Sequence, residues 1–178
     1  TLFRSLAYSG RGRFLVQKLD LNLLVMETVQ LLQISISKKA ELRFELAPDL
    51  PSIDADSTQM RQVVMNLVIN ASEALGDRGG VIAIRTDTIA VDGTYLSGMS
   101  TARERPRDRY VRFEISDDGC GMSSETQLRI FDPFFSTKFT GRGLGLAAVQ
   151  GIVRGHEGAL RVKSHLGKGT TFELLFPQ

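Results

Sequence analysis

Asn66 and Asn70 are the first residues whose type and spacing suggest chemistry. On a helix, residues four apart lie on one face, and asparagine is a poor residue for a helix interior because its side chain competes for backbone hydrogen bonds. A carboxamide oxygen is a hard neutral ligand of the kind that suits Mg²⁺, an ion that is commonly shared with phosphates. A solvated polar helix face explains the same pair, and the pair alone does not decide between the two interpretations.

An aspartate and two glycines form the second pattern, Asp117-x-Gly119-x-Gly121. An aspartate at the end of a strand, facing a pocket, can accept a hydrogen bond from an amino group such as that of adenine. The glycines let the backbone turn closely beneath a base. A plain glycine-rich turn after a strand remains the alternative for this pattern alone.

A glycine-rich entry to a helix, from Gly141 to Leu146, forms the third pattern. It is a candidate phosphate cradle, because backbone N–H groups at the start of a helix favour an anion. It is not the Walker pattern, since no GK[ST] follows, and a flexible loop is the alternative. Lys138 and Arg142 lie nearby and could meet phosphate charge, or each could be a solvated cation.

These patterns require a helix for the asparagines, a strand that leads into Asp117, and a covering segment. Apolar periodicity predicts that Asp56 opens a long helix, with Asp56 and Gln59 in the spacing of a capping box. The aromatic run 131–135 separates the two glycine clusters. The layout is typical of a nucleotide pocket with a movable lid.

The remaining elements follow from apolar spacing and from turn residues. In the first long helix, Leu24, Leu31 and Leu32 are expected to face the core. Residues 90–108 are predicted to form a long connection between two strands. Helices are predicted over about 21–38, 56–75, 123–130 and 143–155, and strands over about 13–19, 41–47, 81–89, 110–116, 158–164 and 170–176.

The amino-acid composition limits the classes of protein to which this chain can belong. The 178 residues are 42% apolar and carry a net charge of +2, which suits one domain and implies no strong nucleic-acid or membrane field. The single cysteine, Cys120, excludes an internal disulfide and fits a reducing compartment. No apolar run approaches the roughly 18–20 residues of a membrane span. We therefore expect a cytoplasmic domain without membrane or nucleic-acid contact.

Taken in order, the motifs resemble the catalytic and ATP-binding domain of bacterial sensor histidine kinases. These belong to the GHKL superfamily, which gyrase, mismatch-repair and chaperone ATPases share. The resemblance implies a two-layer α/β (α+β) sandwich of the Bergerat type over residues 13–178, with a mixed five-stranded sheet backed by three helices and an ATP lid. The boxes of that family match QVVMNLVINA (62–71), DDGCGM (117–122), IFDPFFSTK (130–138), GRGLGL (141–146) and GKGTTF (167–172).

The resemblance also implies ligands and roles. It implies that the domain binds ATP or ADP with Mg²⁺. Asn70 is then the metal ligand, and Asn66 lies near the same ion or the phosphates. Asp117 accepts a hydrogen bond from the adenine amino group. The resemblance makes Asn66, Asn70 and Lys138 the catalytic groups. The other nucleotide-binding residues that it implies are Lys138, Gly119, Gly121, Met122, Gly141, Arg142, Gly143, Leu144, Gly145, Leu146 and Thr170.

The implied activity is a phosphotransferase that donates the γ-phosphoryl group of Mg-ATP to a histidine on a dimerisation domain. Hydrolysing relatives carry a glutamate where this chain has Asn66. An amide cannot take a proton from water, so poor ATP hydrolysis is expected. Glu73 stands where many members carry Lys or Arg near the phosphates, and a carboxylate there repels phosphate unless it faces solvent or a cation.

The phosphoacceptor is expected outside this sequence. His156 and His165 are the histidines of the chain, and both are interpreted as structural or surface residues. Residues 1–12 look like the tail of a preceding dimerisation and phosphoacceptor helix. The expected partners are that domain of the same protein and the receiver domain of a response regulator. The whole protein is then expected to be a bacterial homodimer, and the fragment a monomer.

Other functions fit parts of the same pattern. A degenerate module would sense nucleotide without transferring phosphate, although the intact asparagines and glycine boxes argue against it. An ATP-hydrolysing, ATP-gated domain of the gyrase or chaperone kind is disfavoured by Asn66. A serine-directed anti-sigma kinase would share the pocket, and the helix tail at residues 1–12 disfavours it.

Overall fold

The computed structural model describes residues 15–100, 109–137 and 143–178, so the predicted helix tail over 1–12 lies outside it. No helix within these described ranges is both long and apolar enough to cross a membrane. The helices are α1 (Leu21–Leu32), α2 (Ser57–Leu75), α3 (Gly93–Ser97), α4 (Ser124–Arg129) and α5 (Gly145–Gly155). The strands are β1 (Val16–Leu19), β2 (Ala40–Leu46), β3 (Ile53–Asp56), β4 (Gly80–Ala90), β5 (Arg109–Asp117), β6 (Ala159–His165) and β7 (Gly169–Pro177).

Five strands form one mixed sheet in the order β2-β4-β5-β7-β6. Strand β2 runs parallel to β4, and the other neighbouring pairs are antiparallel. Alternation along β5 sends Val111, Phe113 and Ile115 into the core. Strands β1 and β3 pair separately as an antiparallel ribbon. The predicted mixed five-stranded sheet, with its three longer helices on one face, is confirmed.

Helix α2 lies at the centre of the helical layer. It contacts α1 and α5 on its sides and β4 and β5 beneath it. Burying one Val, Leu or Met side chain contributes roughly 1.5–3 kcal/mol, so this apolar side fixes the helix firmly on the sheet. Asn66 and Asn70 lie half-buried on its flank. The buried residues of α2 are Met60, Val63, Val64, Leu67, Val68, Ala71, Ser72 and Leu75.

The carboxylate of Asp56 caps α2 and also holds the start of β1. Its Oδ1 accepts the N–H groups of Thr58 and Gln59 at 2.9 and 3.1 Å, and its Oδ2 accepts the N–H of Leu15 at 2.9 Å. These backbone donors, Leu15 above all, hold the pKa of Asp56 below its ordinary value. The predicted helix start is therefore confirmed.

The second half of the predicted capping box is replaced by a histidine. The N–H of Asp56 donates to Nε2 of His156 at 2.9 Å, so the Gln59 side chain does not take this position. The Nδ1 atom of His156 lies 2.8 Å from the carbonyl oxygen of Ile152. Because Nε2 accepts a hydrogen bond, Nδ1 carries the proton and donates it to that carbonyl. His156 is thus a structural residue, as predicted.

Replacing His156 with alanine is expected to lower the free energy of unfolding by about 2–4 kcal/mol. The substitution leaves the N–H of Asp56 unpaired in the interior and removes a side chain that is only 7% exposed. Urea denaturation measures the loss. The matched control is His165→Ala at an exposed position, which should cost no more than about 0.5 kcal/mol. A His156→Ala protein as stable as this control would contradict the interpretation.

The opposite face of the sheet carries a charged network centred on Glu173, which is 4% exposed. The guanidinium groups of Arg112 and Arg161 lie 3.7 and 3.5 Å from its carboxylate oxygens. The hydroxyl of Tyr95, on α3, donates to the same carboxylate. Burial is the main cause that raises the pKa of this phenol. Helix α3 is therefore held to the sheet by Tyr95 and by Leu96, which is buried against Tyr110 and Leu175.

Helix α1 is shorter than predicted. It ends at Leu32, where the hydrogen bonds shorten: the N–H groups of Gln33 and Ser35 donate to carbonyls only three residues back, those of Gln30 and Leu32. Leu24 and Leu32 are buried as predicted, but the prediction for Leu31 is wrong, since this side chain is 73% exposed. Leu31 lies within α1 at the edge of its buried stripe, whose members near the end of the helix are Thr28, Val29 and Leu32.

Two short elements were not predicted from the sequence. Strand β3 has four residues, too few for alternation to show, and helix α3 has five residues inside the predicted connection over 90–108. Residues 101–108 of that connection lie outside the described part of the chain. The described part of the connection thus contains a helix that covers the sheet.

Candidate functional site

A cavity of about 540 Å³ lies beside α2, a volume in the usual range for ligand sites. It brings together residues that lie more than 100 positions apart in the sequence, from Asn66 to Phe172. Its lining residues are Asn66, Ile69, Asn70, Ala71, Glu73, Ala74, Asp117, Cys120, Gly121, Met122, Thr126, Ile130, Phe135, Ser136, Thr137, Gly143, Leu144, Gly145, Leu146, Thr170 and Phe172.

Asp117 lines the cavity at the end of the central strand β5. It is held on both sides, because it pairs with Ile82 of β4 and with Thr170 of β7. Its Oδ1 accepts the N–H of Gly119 at 2.9 Å. Burial raises the pKa of Asp117, and the N–H groups of Gly119 and Thr170 oppose that rise. The strand therefore presents a fixed, partly desolvated acceptor to the cavity.

The turn after Asp117 requires glycine because there is no space for a side chain. Gly121 has a φ of +64°, and a Cβ atom there would lie 1.9 Å from the carbonyl oxygen of His165. Gly119 does not line the cavity. It acts on the site through its N–H bond to Asp117, and a Cβ there would lie 2.5 Å from the carbonyl oxygen of Ala74. The turn thus packs directly against α2 and the β6–β7 hairpin.

Ser164 supports the floor of the cavity and was not predicted from the sequence. Its Oγ accepts the N–H of Met122 at 2.8 Å, donates to the Gly169 carbonyl at 3.0 Å, and lies 2.9 Å from Oγ1 of Thr170. It is 6% exposed. The one signal in the sequence is a polar residue at an inward position of β6. Ser164 fixes Met122 and Thr170, both of which line the cavity.

The two asparagines lie on the cavity wall, on successive turns of α2. The side-chain amide of Asn66 donates to the carbonyl of Gly145 at 3.1 Å, so it ties α2 to the start of α5. Asn70 lines the cavity one turn further on. The structure therefore brings both predicted asparagines to one site.

The start of α5 forms another part of the wall. Leu144 stands at the N-cap and makes no side-chain hydrogen bond to the helix. The backbone N–H groups of the first turn are therefore not capped by that side chain, and the helix dipole favours an anion near them. Gly143, Gly145 and Leu146 line the cavity at the same place.

The aromatic segment predicted as a lid reaches the cavity through Phe135. The guanidinium of Arg129 lies 4.4 Å from the centre of the Phe135 ring, and the N–H of Phe134 donates to the Gly143 carbonyl at 2.9 Å. Phe134 itself is 77% exposed. The predicted site residues Lys138, Gly141 and Arg142 lie outside the described residues.

The oxygen donors of the cavity fit a magnesium ion. Asn66, Asn70 and Glu73 follow one another along one side of α2 and all line the cavity. Carboxamide and carboxylate oxygens are hard ligands, and Mg²⁺ is commonly held by one or two protein groups together with waters and phosphate oxygens. The donor set therefore suits an ion that arrives with a phosphate ligand.

Comparison with known proteins gives consistent relatives. The family model described as "Histidine kinase-, DNA gyrase B-, and HSP90-like ATPase" matches residues 55–178. Sensor kinase CckA of Brucella abortus (strain 2308) is 38% identical over 176 residues, which cover 97% of this chain and 18% of that protein. The histidine-protein kinase AtoS of Escherichia coli (strain K12) is 38% identical over 162 residues, covering 90% and 24%. The chain thus spans a small part of these relatives.

Solved structures agree with the sequence relatives. The catalytic domain of the histidine kinase ThkA matches with a TM-score of 0.72 and 30% identity, over 92% of this chain and 95% of that chain. Full-length ShkA in complex with AMPPNP matches with a TM-score of 0.73 and 27% identity, over 94% and 32%. The resemblance inferred from the motifs is confirmed. The chain therefore belongs to the family of histidine kinase-, DNA gyrase B- and HSP90-like ATPases, as a domain of the sensor histidine kinase type.

Proposed function

We propose that this chain binds Mg-ATP and donates the γ-phosphoryl group to a histidine on a dimerisation domain of the same protein. The observation that carries the proposal is the cavity itself, which is lined by Asp117, by the asparagines of α2 and by the start of α5, where the side chain of the N-cap residue Leu144 makes no hydrogen bond. ShkA, a structural relative, was solved in complex with AMPPNP, which supports nucleotide as the ligand.

In this proposal the adenine amino group donates to Asp117. Gly119 and Gly121 let the turn pass beneath the base, and Met122 and Thr170 shape the pocket around it. Asp117 suits this role because β4 and β7 fix its backbone on both sides. A fixed acceptor selects a base that carries an amino group at the matching position.

The phosphates lie, in the same proposal, at the start of α5, where residues 143–146 offer backbone N–H groups. Lys138 and Arg142 remain proposed phosphate contacts on sequence grounds, together with Gly141. Asn70 is the proposed magnesium ligand, with Asn66 beside it. When bound, the ion neutralises charge that develops on the transferred phosphoryl group.

Transfer to a protein is favoured over hydrolysis by the chemistry of Asn66. A carboxamide cannot act as a general base towards water. The Asn66 amide also donates to the Gly145 carbonyl, so its described contact is a structural one between two helices. We propose that the domain positions ATP and that the acceptor histidine supplies the nucleophile.

The acceptor and the partners are proposed to lie outside this chain. Of the two histidines, His156 is buried and both of its ring nitrogens are engaged. We propose that residues 1–12 form the C-terminal end of the preceding phosphoacceptor domain. The whole protein would then act as a homodimer that passes phosphate to the receiver domain of a response regulator.

Titration calorimetry with ADP and with a non-hydrolysable ATP analogue tests the binding step. We expect saturable binding of both nucleotides, with Mg²⁺ strengthening the binding of the triphosphate. Nucleotide labelled at the γ-phosphate tests the transfer step. The chain alone should give no acid-labile label, and the longer protein with its preceding domain should give one.

Two results would contradict the proposal. Absence of binding at high nucleotide concentration would favour a degenerate module. Rapid steady-state hydrolysis by this chain would favour an ATP-gated domain. If acid-labile label appeared on the chain alone, a His165→Ala variant would show whether the exposed histidine had accepted it.

A further inference from the structure

A groove of about 320 Å³ lies between α2 and α5, outside the cavity of the proposed nucleotide site. Two hydrogen bonds between the helices bound it. At one end, the N–H of Asp56 donates to Nε2 of His156. At the other end, the side-chain amide of Asn66 donates to the carbonyl of Gly145, so the two helices run antiparallel. The residues that line this α2–α5 groove are Gln59, Gln62, Ala148, Gly151 and Ile152.

The α2–α5 groove is uncharged and open. None of its five described lining residues is ionisable, and the amides of Gln59 and Gln62 can hydrogen-bond a peptide backbone. Gly151 lies within α5, and a Cβ atom there would meet nothing within 4 Å. Alanine would stabilise a helix at such a position, so neither helix propensity nor a collision with the described residues accounts for the glycine. The groove therefore has room for a closely packed segment of polypeptide.

The described part of the chain begins at one end of this groove. The N–H of Leu15 donates to Oδ2 of Asp56 at 2.9 Å, and the N–H of Gln59, a lining residue, donates to Oδ1 of the same carboxylate at 3.1 Å. On the α5 side, the carbonyl oxygen of the lining residue Ile152 lies 2.8 Å from Nδ1 of His156. The chain that precedes Leu15 is therefore fixed next to the groove.

The preceding residues, 1–14, have a sequence that fits an apolar groove. Leu2, Phe3 and Leu6 have the spacing of one helical face, and the two glycines of the segment permit a sharp turn. The two hydrogen bonds that bound the groove are ten residues apart on α2, which is about 15 Å of helix. Fourteen residues reach about 21 Å even as a helix, so the apolar side chains can lie along the groove.

We infer that residues 1–8 pack in the α2–α5 groove through Leu2, Phe3 and Leu6. The occupant is a segment of this same chain, because the chain begins at the end of the groove and the segment has a matching length and apolar face. This inference goes beyond the proposed function and does not depend on nucleotide binding. A segment packed here contacts both helices next to the Asn66 hydrogen bond, so it joins residues 1–8 to the wall of the proposed nucleotide site.

Trypsin cleavage after Arg4, followed by mass spectrometry of the chain, tests this contact. Gly151→Lys places a long charged side chain in the groove, opposite a segment that carries three arginines and no acidic residue. We expect cleavage after Arg4 to become about threefold to tenfold faster, because proteolysis follows the population of the open form. Position 151 has open space, so the variant should remain folded, and urea denaturation checks this.

Gln150→Lys is the matched control. Gln150 is the neighbouring residue on α5 and does not line the groove. The variant adds the same charge and the same new trypsin site to the same helix. Its rate of cleavage after Arg4 should stay within about twofold of wild type, since salt screens a charge that makes no direct contact.

Leu6→Ser tests the other side of the contact. It removes one of the apolar side chains of the segment, so cleavage after Arg4 should become faster in the wild-type background. In the Gly151→Lys background it should have little further effect, because the segment has already left the groove. Comparison of the two backgrounds cancels any direct effect of position 6 on the protease, which is the same in both.

Three results would overturn the inference. Equal cleavage rates for Gly151→Lys and Gln150→Lys would show that the segment does not lie in the groove. An equal effect of Leu6→Ser in both backgrounds would place its apolar contact elsewhere. If Gly151→Lys instead dissociated a dimer in sedimentation, with cleavage unchanged, a second copy of the chain would be the occupant. The calorimetric test of nucleotide binding is separate, so its failure would leave this contact standing.

Discussion

Replacing Asp117 with asparagine is expected to weaken nucleotide binding about 10- to 100-fold, the size of a lost hydrogen bond to a charged group. The aspartate accepts N–H groups from Gly119 and Thr170 and, in the proposed complex, the adenine amino group. An asparagine offers one oxygen for these donors and turns its own N–H₂ towards another of them. Calorimetry with ADP measures the loss.

Asp118→Asn is the matched control for this substitution. Asp118 is the next residue and does not line the cavity, and its Oδ1 accepts the N–H of Val81 at 2.9 Å. An asparagine oxygen can accept the same bond, so affinity should change less than about twofold. Equal losses for the two variants would contradict a specific role for Asp117.

The pH dependence of binding follows from the raised pKa of Asp117. Burial disfavours the carboxylate, so the folded protein takes up this proton at a higher pH than an ordinary aspartate with a pKa of 3.8. Affinity should therefore fall as the pH drops through the raised pKa. Asp118→Asn should move this fall slightly towards lower pH, because the charge of Asp118 contributes to the raised pKa of Asp117. For stability the sign is opposite, since burial of the charge opposes folding at neutral pH and protonation relieves it. Asp117→Asn should thus lose binding without a matching loss of stability.

Replacing Gly169 with alanine is expected to cost at least about 3 kcal/mol of folding free energy, or to prevent folding. Gly169 opens β7 with a φ of +94°, and a Cβ atom there would lie 1.9 Å from the carbonyl oxygen of Asp117. That carbonyl belongs to the central strand, so it has no room to move without breaking the pairing of β5 with β7. Thermal and urea denaturation of the purified variants measure the cost.

Gly167→Ala is the control, because it separates backbone strain from collision. Gly167 lies in the same hairpin with a φ of +74°, and a Cβ atom there would meet nothing within 4 Å. Only the cost of a left-handed backbone remains, about 1–2 kcal/mol. Similar losses for the two alanine variants would show that the collision at Asp117 is not the reason for glycine at position 169.

Strong local patterns made much of the fold predictable. Helix α2 has apolar residues at regular spacing and a capping aspartate, so its start and its buried face were predicted correctly. The glycine motifs placed Gly121 and Gly143 at one site, because glycine recurs where a backbone must turn without side-chain space. Asn66 and Asn70 needed only the helical period to be put on one face.

The unpredicted features depend on contacts between distant residues. His156 accepts a hydrogen bond from the N–H of Asp56, 100 positions away in the sequence, and no pattern near either residue indicates this pairing. Ser164 meets the N–H of Met122 across 42 positions, once the β6–β7 hairpin folds towards the turn after β5. Strand β3 exists because β1 is available to pair with it, and four residues carry too little pattern to reveal that alone.

The layering around α2 has a consequence for amide hydrogen exchange. This helix has eight buried residues and is enclosed by two helices and the sheet, so its amides should exchange only when the whole domain unfolds. Helix α4, which brings Thr126 to the cavity, has no buried residue, so its amides should exchange through local openings of low free energy. The asparagine wall is therefore the slow-exchanging side of the cavity, and room for an entering ligand is gained on the α4 side.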